Sequence, residues 1–201
     1  MQTDYFTTNV LTKWTFESKP IREWTESHLQ GKVLNACAGK TRLHHTNEII
    51  TNDLNEDLNP DYSIDVAELS KYLDESSFDT IVFDPPWTLY QANLRYDGNH
   101  VYSTGDNIDS KININELPID IDKNKSQYGH ARLAKENFDY LLKDGGKVIQ
   151  ITYHGTCMPD RLNYKREERV IFDPIGENKA VIGSVDIKQG VNNSNKSFFD
   201  Y

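Results

Sequence analysis

Short apolar runs separated by polar, turn-forming residues recur along this chain and predict strands that alternate with helices. In the first half, the runs predict strands at residues 32–35, 47–55, 63–67 and 78–83, with a helix over residues 66–73. Successive strands that each end in polar residues are typical of a parallel sheet, in which those ends meet at one edge. The first half of the chain is therefore predicted to form an α/β sheet.

The second half continues this alternation and then changes it. Apolar residues at helical spacing predict a helix over residues 127–142, which stops before Gly145 and Gly146. Residues 147–153 form the next predicted strand. Residues 168–172 and 180–186 are two further apolar runs, joined by a connection that contains proline, glycine and asparagine. We expect these last two runs to form a closing hairpin.

The strand at residues 78–83 ends in Asp84-Pro85-Pro86-Trp87, and this sequence indicates a site rather than a simple turn. A turn needs only small polar residues, whereas here a carboxylate, two residues of fixed φ and an indole follow the strand. Asp84 and the carbonyl of Pro85 suit an exocyclic amino group, because each can accept a hydrogen bond from one of its hydrogens and favour the pyramidal nitrogen that attacks. Trp87 can stack on a planar base.

Small or acidic residues also follow the three preceding strands. The first strand continues into the small-residue loop Asn35-Ala36-Cys37-Ala38-Gly39, whose backbone can approach a ligand closely. The next two end near Asp53 and Asp65, and Asp53 stands where a Rossmann-like unit places its ribose-binding carboxylate. Each acid alone is more typical of a solvated turn. Three such strand ends in succession indicate a binding site.

Together, these segments resemble the S-adenosylmethionine-dependent amino methyltransferases of class I, which modify adenine N6 or cytosine N4. The catalytic motif of that family is (D/N/S)PP(Y/F/W), which Asp84-Pro85-Pro86-Trp87 matches. The resemblance covers residues 31–87 well and residues 127–187 loosely. It implies a Rossmann-like, mostly parallel seven-stranded sheet with a C-terminal antiparallel hairpin.

The resemblance also implies residue roles. Catalysis would involve the four residues of the motif, and S-adenosylmethionine would be bound by Asn35, Ala36, Cys37, Ala38, Gly39, Asp53, Asp65 and Asp84. The chain departs from the family pattern at two positions of the loop. Asn35 stands where an acid is common, and Thr41 stands where a second glycine is usual. Only residues 41–47 remain for a helix that is normally three or four turns long, so a partner subunit or the N-terminal segment would have to cover that face.

Gly39-Lys40-Thr41 also matches the end of a phosphate-binding loop of nucleotide hydrolases. That motif needs a glycine five residues before Gly39, and Leu34 occupies the position. Because Leu34 belongs to the apolar strand, too little loop remains to surround a triphosphate. The sequence therefore argues against a nucleotide hydrolase.

Length and composition suit one domain, which the resemblance implies is a single methyltransferase domain over residues 1–201. No stretch has the apolar length of a membrane span, and residues 1–12 lack a signal-peptide pattern. Cys37 and Cys157 are isolated, and none of the six histidines has zinc-site spacing, so we expect a cytoplasmic protein without a metal site.

The net charge of −9 is unusual for a protein that binds nucleic acid, because it repels a phosphate backbone over long distances. The local basic candidate is residues 161–169, which are equally compatible with a solvated, ion-paired helix. The acidity favours a homo- or hetero-oligomeric partner with a basic surface, a single-stranded or small substrate, or a high-salt environment.

Three segments lie outside the predicted sheet. Residues 1–30 are an N-terminal segment, of which residues 6–9 are predicted to line the methionine end of the cofactor pocket. Residues 191–201 are predicted to be a flexible tail. Residues 88–125 are polar and are predicted to be a substrate loop, with candidate substrate-binding residues Tyr90, Gln91, Asn93, Arg95 and Tyr96.

The sequence thus predicts an S-adenosylmethionine-dependent N-methyltransferase whose partner is nucleic acid, DNA in preference to RNA, with adenine N6 as the acceptor. Methylation of RNA adenine N6, of DNA cytosine N4 or of a protein amide would use the same motif. A non-catalytic subunit that keeps the fold is the alternative from a different class.

Overall fold

Seven strands form a single sheet in a computed structural model, which describes residues 2–86, 113–119, 130–153, 158–176 and 179–190. In chain order the strands are β1 (Gln2–Thr8), β2 (Val33–Asn35), β3 (Ile49–Thr51), β4 (Phe78–Phe83), β5 (Leu142–Thr152), β6 (Tyr164–Pro174) and β7 (Val181–Lys188). Their order in the sheet is β1-β6-β7-β5-β4-β2-β3. Strand β7 runs antiparallel to β5 and β6, and the other pairs are parallel. The predicted mostly parallel sheet with a closing hairpin is therefore confirmed.

Among the described residues, two α-helices cover opposite faces of this sheet: α1 (Lys19–His28) and α2 (His130–Leu141). Consecutive strand residues point to opposite faces, so Val33 packs with the α1 side while Leu34 packs with the α2 side. The same alternation separates Val82 from Ile81 in β4. Each face thus has its own apolar cluster, and the sheet is buried between two layers.

Helix α1 is held to the sheet by a buried polar contact as well as by apolar packing. The indole N–H of Trp24 donates to Glu168 Oε1 at 2.7 Å, and His28 Nε2 lies 3.0 Å from Glu168 Oε2. Trp24 also packs edge-on against Phe172, with ring centroids 5.7 Å apart. A Cβ at Gly183 would lie only 2.8 Å from this indole, so the close packing of α1 requires glycine there.

Helix α2 continues directly into β5 and is tied to the preceding part of the chain by Asn137. This side chain is fully buried. It donates to the carbonyls of Ala67 (2.9 Å) and Leu133 (2.8 Å) and accepts from the backbone N–H of Ser70 (2.7 Å). The predicted helix at residues 127–142 is present over its described part.

The predicted strand at residues 63–67 is absent. Both backbone groups of Ile64 bond to the side chain of Asn52: its N–H donates to Oδ1 at 3.0 Å, and its carbonyl accepts from Nδ2 at 2.9 Å. Asp65 then accepts from the N–H of Ala67 at 2.9 Å. This turn leads to the short 3₁₀ helix Leu69–Lys71, which replaces the α-helix predicted over residues 66–73.

The seventh strand is instead β1, in the N-terminal segment. It lies at the sheet edge and pairs in parallel with β6, from Gln2 opposite Glu168 to Thr8 opposite Pro174. The ring of Phe6 stacks on Phe172 with centroids 5.8 Å apart. The sequence of β1 is mostly polar. A polar strand is tolerated at the edge of the sheet, where β1 has a single strand neighbour, β6.

The face left by the short connection between β2 and β3 is covered from within the chain. Residues 41–47 form no helix, but Leu43 is buried in the same cluster as Trp24 and Phe16. The N-terminal segment therefore covers this face of the sheet, one of the two possibilities that the sequence predicted, the other being a partner subunit.

Part of the predicted substrate loop packs against the core. Within residues 88–125 the structure describes 113–119, where Leu117 and Ile119 are buried against Ala67 and Leu133. The remaining residues of that prediction lie outside the described part of the chain, as does the predicted tail. Among the residues described, no helix combines the length and the apolar character that crossing a membrane would require.

Candidate functional site

An open cleft lies where β2, β3 and β4 end. Its volume is about 360 Å³ when the solvent-open space at its mouth is counted. The loop after β2, the acids that follow β3 and β4, and part of the N-terminal segment form its walls. The lining residues are Lys13, Trp14, Thr15, Phe16, Cys37, Ala38, Gly39, Lys40, Thr41, Asp53, Asp84 and Pro86. Ligands of open α/β sheets bind at this edge, beyond the carboxyl ends of the strands.

Asp53 joins the loop after β2 to the loop after β3. Its Oδ2 accepts the backbone N–H of Gly39 at 2.8 Å, and its Oδ1 accepts that of Asn55 at 3.0 Å. The residue is 3% exposed, yet it lines the cleft. Because each carboxylate oxygen can accept more than one hydrogen bond, Asp53 can hold both loops and still present an acceptor to a ligand hydroxyl.

Asn52 fixes the neighbouring backbone in a similar way. Besides its two bonds to Ile64, its Nδ2 donates to the carbonyl of Ala36 at 3.0 Å. Its own backbone N–H donates to Asn35, and its carbonyl accepts from Ala38, both at 2.9 Å. This fully buried residue therefore connects the segments that follow β2 and β3 to the turn at Ile64 and Asp65.

Gly39 adopts a backbone conformation that favours glycine. Its φ is +58°, and a Cβ there would lie 3.1 Å from Trp14 Cε3. Trp14 therefore lies directly against the loop and lines the cleft beside it, with the Lys13 ammonium 4.8 Å from its ring centroid. The two lysines at the cleft, Lys13 and Lys40, offer positive charge opposite the acids Asp53 and Asp84.

The Asp84-Pro85-Pro86 corner follows β4 as the sequence predicts. Asp84 is half-buried and lines the cleft with Pro86, while Pro85 and Pro86 are buried. The acid thus faces an accessible space rather than packed side chains. The adjacent Trp87 lies outside the described residues, as do Tyr90, Gln91, Asn93, Arg95 and Tyr96.

The predicted cofactor residues fall into two groups. Cys37, Ala38, Gly39, Asp53 and Asp84 line the cleft. Asn35, Ala36 and Asp65 are not among its lining residues. Asn35 is 1% exposed, and its Oδ1 has no hydrogen-bond partner among the described residues. Asn35 thus keeps one buried acceptor that no described group satisfies.

The N-terminal contribution to the cleft was assigned to the wrong residues. Residues 6–9 were predicted to line it, but Phe6–Thr8 belong to β1, and the lining residues are Lys13, Trp14, Thr15 and Phe16. The sequence feature that could have indicated this wall of the cleft is Trp14 beside Lys13 in a polar stretch. Its partner Gly39 is distant in sequence, so only the fold shows that the two meet.

The basic segment at residues 161–169 does not form a free cationic face. It spans the 3₁₀ helix Asp160–Leu162 and the start of β6, not an α-helix. Arg161 pairs with Glu136, and Arg166 Nε lies 3.3 Å from the buried Asp186 Oδ1. These two guanidinium groups are therefore already engaged within the fold.

Comparisons with solved structures give the class of fold. The chain resembles TrmN from Thermus thermophilus with a TM-score of 0.51 and 13% identity, over 85% of this chain and 49% of that one. It thus spans about half the length of TrmN. A TehB-like SAM-dependent methyltransferase from Corynebacterium glutamicum matches with a TM-score of 0.46 and 14% identity, over 84% of this chain and 86% of the other. An rRNA methylase from Streptococcus thermophilus matches with a TM-score of 0.44 and 11% identity, over 84% and 94%.

No protein-family model matches the chain, and no curated protein matches it. At these identities the structural likeness defines the fold alone. The chain has the Rossmann-like fold of class I methyltransferases, with a mixed seven-stranded sheet and few helices.

Proposed function

We propose that this chain is an S-adenosylmethionine-dependent methyltransferase that modifies an exocyclic amino group of a nucleic-acid base, with adenine N6 in DNA as the first acceptor to test. The observation that carries the proposal is the Asp84-Pro85-Pro86 corner, which borders the same cleft as the Gly39 loop and Asp53. An acceptor acid beside a cofactor-type loop is the arrangement that amino-group transfer needs.

The cleft suits the proposed cofactor. Asp53 would accept from the ribose, the loop Cys37-Ala38-Gly39 allows close backbone approach, and Lys13 or Lys40 would pair with the carboxylate. Trp14 lines the cleft beside Gly39. When bound, the cofactor supplies a methyl group on a positively charged sulfur. Asn35, Ala36 and Asp65 are also proposed to bind the cofactor, although they are not among the residues that line the cleft.

Asp84 and the carbonyl of Pro85 would then orient the acceptor nitrogen. Each accepts one amino hydrogen, which raises electron density on the nitrogen and stabilises the positive charge that develops there. Held by Asp84 and the Pro85 carbonyl, the acceptor nitrogen would take the methyl group that the cofactor supplies and would lose one proton to water. Trp87 would stack on the base, and Tyr90, Gln91, Asn93, Arg95 and Tyr96 would contact its surroundings.

The test measures transfer of a labelled methyl group to single-stranded DNA and RNA, followed by nucleoside analysis of the product. Wild type should yield a base methylated on its amino nitrogen. Asp84→Ala should lower kcat by about 10²- to 10³-fold, whereas the exposed Asp74→Ala should not change it. Full activity in Asp84→Ala would remove the role assigned to Asp84.

Calorimetry with S-adenosylmethionine separates the proposed enzyme from a non-catalytic subunit of the same fold. The enzyme should bind the cofactor in the absence of substrate. A chain that folds but does not bind S-adenosylmethionine would contradict the proposal.

A further inference from the structure

A second lysine–aromatic pair lies at the same edge of the sheet as the cleft. Tyr153 directly follows β5, and Lys179 precedes β7. The Lys179 ammonium lies 5.6 Å from the Tyr153 ring centroid, within cation–π range. Lys179 is exposed, whereas Tyr153 is half-buried. Neither residue belongs to the cleft.

Strand order places this pair on the side of Asp84 opposite the cofactor loop. The order β7-β5-β4-β2-β3 puts the end of β4, and with it Asp84, between the end of β2 and the end of β5. Phe83 pairs with Gln150, so Asp84 and Tyr153 follow neighbouring strands that are about 4.8 Å apart. Gly39 is thus on one side of Asp84 and Tyr153 on the other.

Tyr153 also lies on the sheet face that carries the cleft. It packs against the same apolar cluster as Phe16, which lines the cleft. One side of the tyrosine is thereby fixed by the core while Lys179 approaches its ring. A fixed aromatic ring close to Asp84 is a suitable surface for a planar group.

We propose that Tyr153 and Lys179 form a subsite for single-stranded nucleic acid, in which Tyr153 stacks on a base next to the target and Lys179 binds a flanking phosphate. This inference rests on the proposed function and specifies its substrate as a polynucleotide strand rather than a free base. The cofactor would fill the Gly39 side of Asp84, so the acceptor must enter from the Tyr153 side.

The two contacts are compatible. An exposed cation–π contact is weak, so a base can displace the ammonium from the ring at small cost. The long lysine side chain can then reach a phosphate beside that base. Because the net charge is −9, attraction over long distances opposes binding, and affinity must come from short-range stacking and a small number of phosphate contacts.

Fluorescence anisotropy with labelled, adenine-containing single-stranded DNA and RNA of the same sequence tests the subsite. Tyr153→Ala should weaken binding at least about tenfold, and Tyr153→Phe should retain most of the affinity because it keeps the aromatic face. Lys179→Gln should weaken binding and reduce the salt slope by about one ion. The DNA and RNA arms identify which strand is preferred.

Matched controls are Tyr72→Ala and Lys165→Gln, which change exposed residues of the same types away from this edge. They should bind both strands like wild type. Calorimetry with S-adenosylmethionine checks that each variant keeps its cofactor site, so a folding defect in Tyr153→Ala would be recognised. If Tyr153→Ala is misfolded, the test relies on Tyr153→Phe and Lys179→Gln.

Unchanged affinity and salt slope in Lys179→Gln, together with unchanged affinity in folded Tyr153→Ala, would overturn the subsite. Wild-type protein that methylates free adenosine but binds neither strand would overturn it as well, while leaving amino-group transfer in place. Absence of cofactor binding and of all methyl transfer would instead reject the proposed function, and the subsite with it.

Discussion

Gly39 donates its backbone N–H to Asp53 Oδ2 at 2.8 Å, and this bond joins the loops that follow β2 and β3. The other carboxylate oxygen holds Asn55. Asp53 is thus both a possible ligand acceptor and the support of the loop that would contact the cofactor. The two roles predict that its loss affects stability and binding together.

Asp53→Asn should lower both the free energy of unfolding and the affinity for S-adenosylmethionine. An amide has one acceptor oxygen, so in either orientation its NH₂ faces the N–H of Gly39 or Asn55. We expect a loss of about 1–3 kcal/mol in urea unfolding and weaker binding by calorimetry. The exposed Asp57→Asn changes the same charge and should alter neither quantity. Unchanged cofactor affinity in Asp53→Asn would contradict this role.

Gly39→Ala and Gly145→Ala should separate backbone strain from damage to the cleft. Both glycines have positive φ, but a Cβ at Gly39 meets Trp14 at 3.1 Å, whereas one at Gly145 meets nothing within 4 Å. Thermal unfolding should show a loss of about 1–2 kcal/mol in each variant. Only Gly39→Ala should bind S-adenosylmethionine more weakly. Equal effects on binding would show that the contact with Trp14 does not matter.

The bond between Trp24 and Glu168 should contribute measurably to stability. Trp24→Phe removes the donor and leaves a buried carboxylate oxygen with one partner fewer, which costs about 1–3 kcal/mol. Glu168→Met, which removes the acceptor, in the wild-type and Trp24→Phe backgrounds completes a double-mutant cycle in urea unfolding. We expect a coupling energy of at least about 0.5 kcal/mol. Strictly additive costs would mean that the indole N–H contributes nothing.

Lys135 should make stability depend on pH in the alkaline range. Burial is the main cause that lowers the pKa of Lys135 from 10.5 to about 8, although the nearby Asp186 acts in the opposite direction. Between these two values the unfolded chain binds more protons than the folded one, so the free energy of unfolding rises as pH increases. The rise should total about 3 kcal/mol.

Urea unfolding of wild type and Lys135→Met from pH 7 to pH 11 measures this rise. The difference between the two curves isolates Lys135, because all other titrating groups are common to both. The exposed Lys165→Met serves as a control and should follow wild type. Parallel curves for wild type and Lys135→Met would show that Lys135 titrates normally.

The strands with strong apolar patterns were predictable from sequence, and so were the positions in the fold of the residues that directly follow them. Strand β4 has the predicted bounds, and Asp84 lies at its end because a strand that stops at a proline must leave its last polar residue at the sheet edge. The loop from Cys37 to Gly39 follows β2 because the apolar run ends there and small residues take its place. These predictions needed only information from neighbouring residues.

The errors occurred where distant residues decide the structure. Residues 63–67 have the composition of a strand, but the buried side chain of Asn52 takes the hydrogen bonds of Ile64 that a strand would have used. Conversely, β1 is polar and becomes a strand because β6 offers it a free edge. Trp14 reaches the cleft through a contact with Gly39 that no local pattern indicates.

The parallel pairing of β1 with β6 also constrains how the protein can be made. Strand β1 leaves the ribosome long before the strand beside it, because the paired residues, Gln2 and Glu168, lie far apart in the chain. Contacts between such distant segments form slowly because a long loop must close first. Until then, a nascent chain carries β1 without its neighbour, and Lys13 to Phe16, which follow β1, reach their places in the cleft only after β6 has been synthesised.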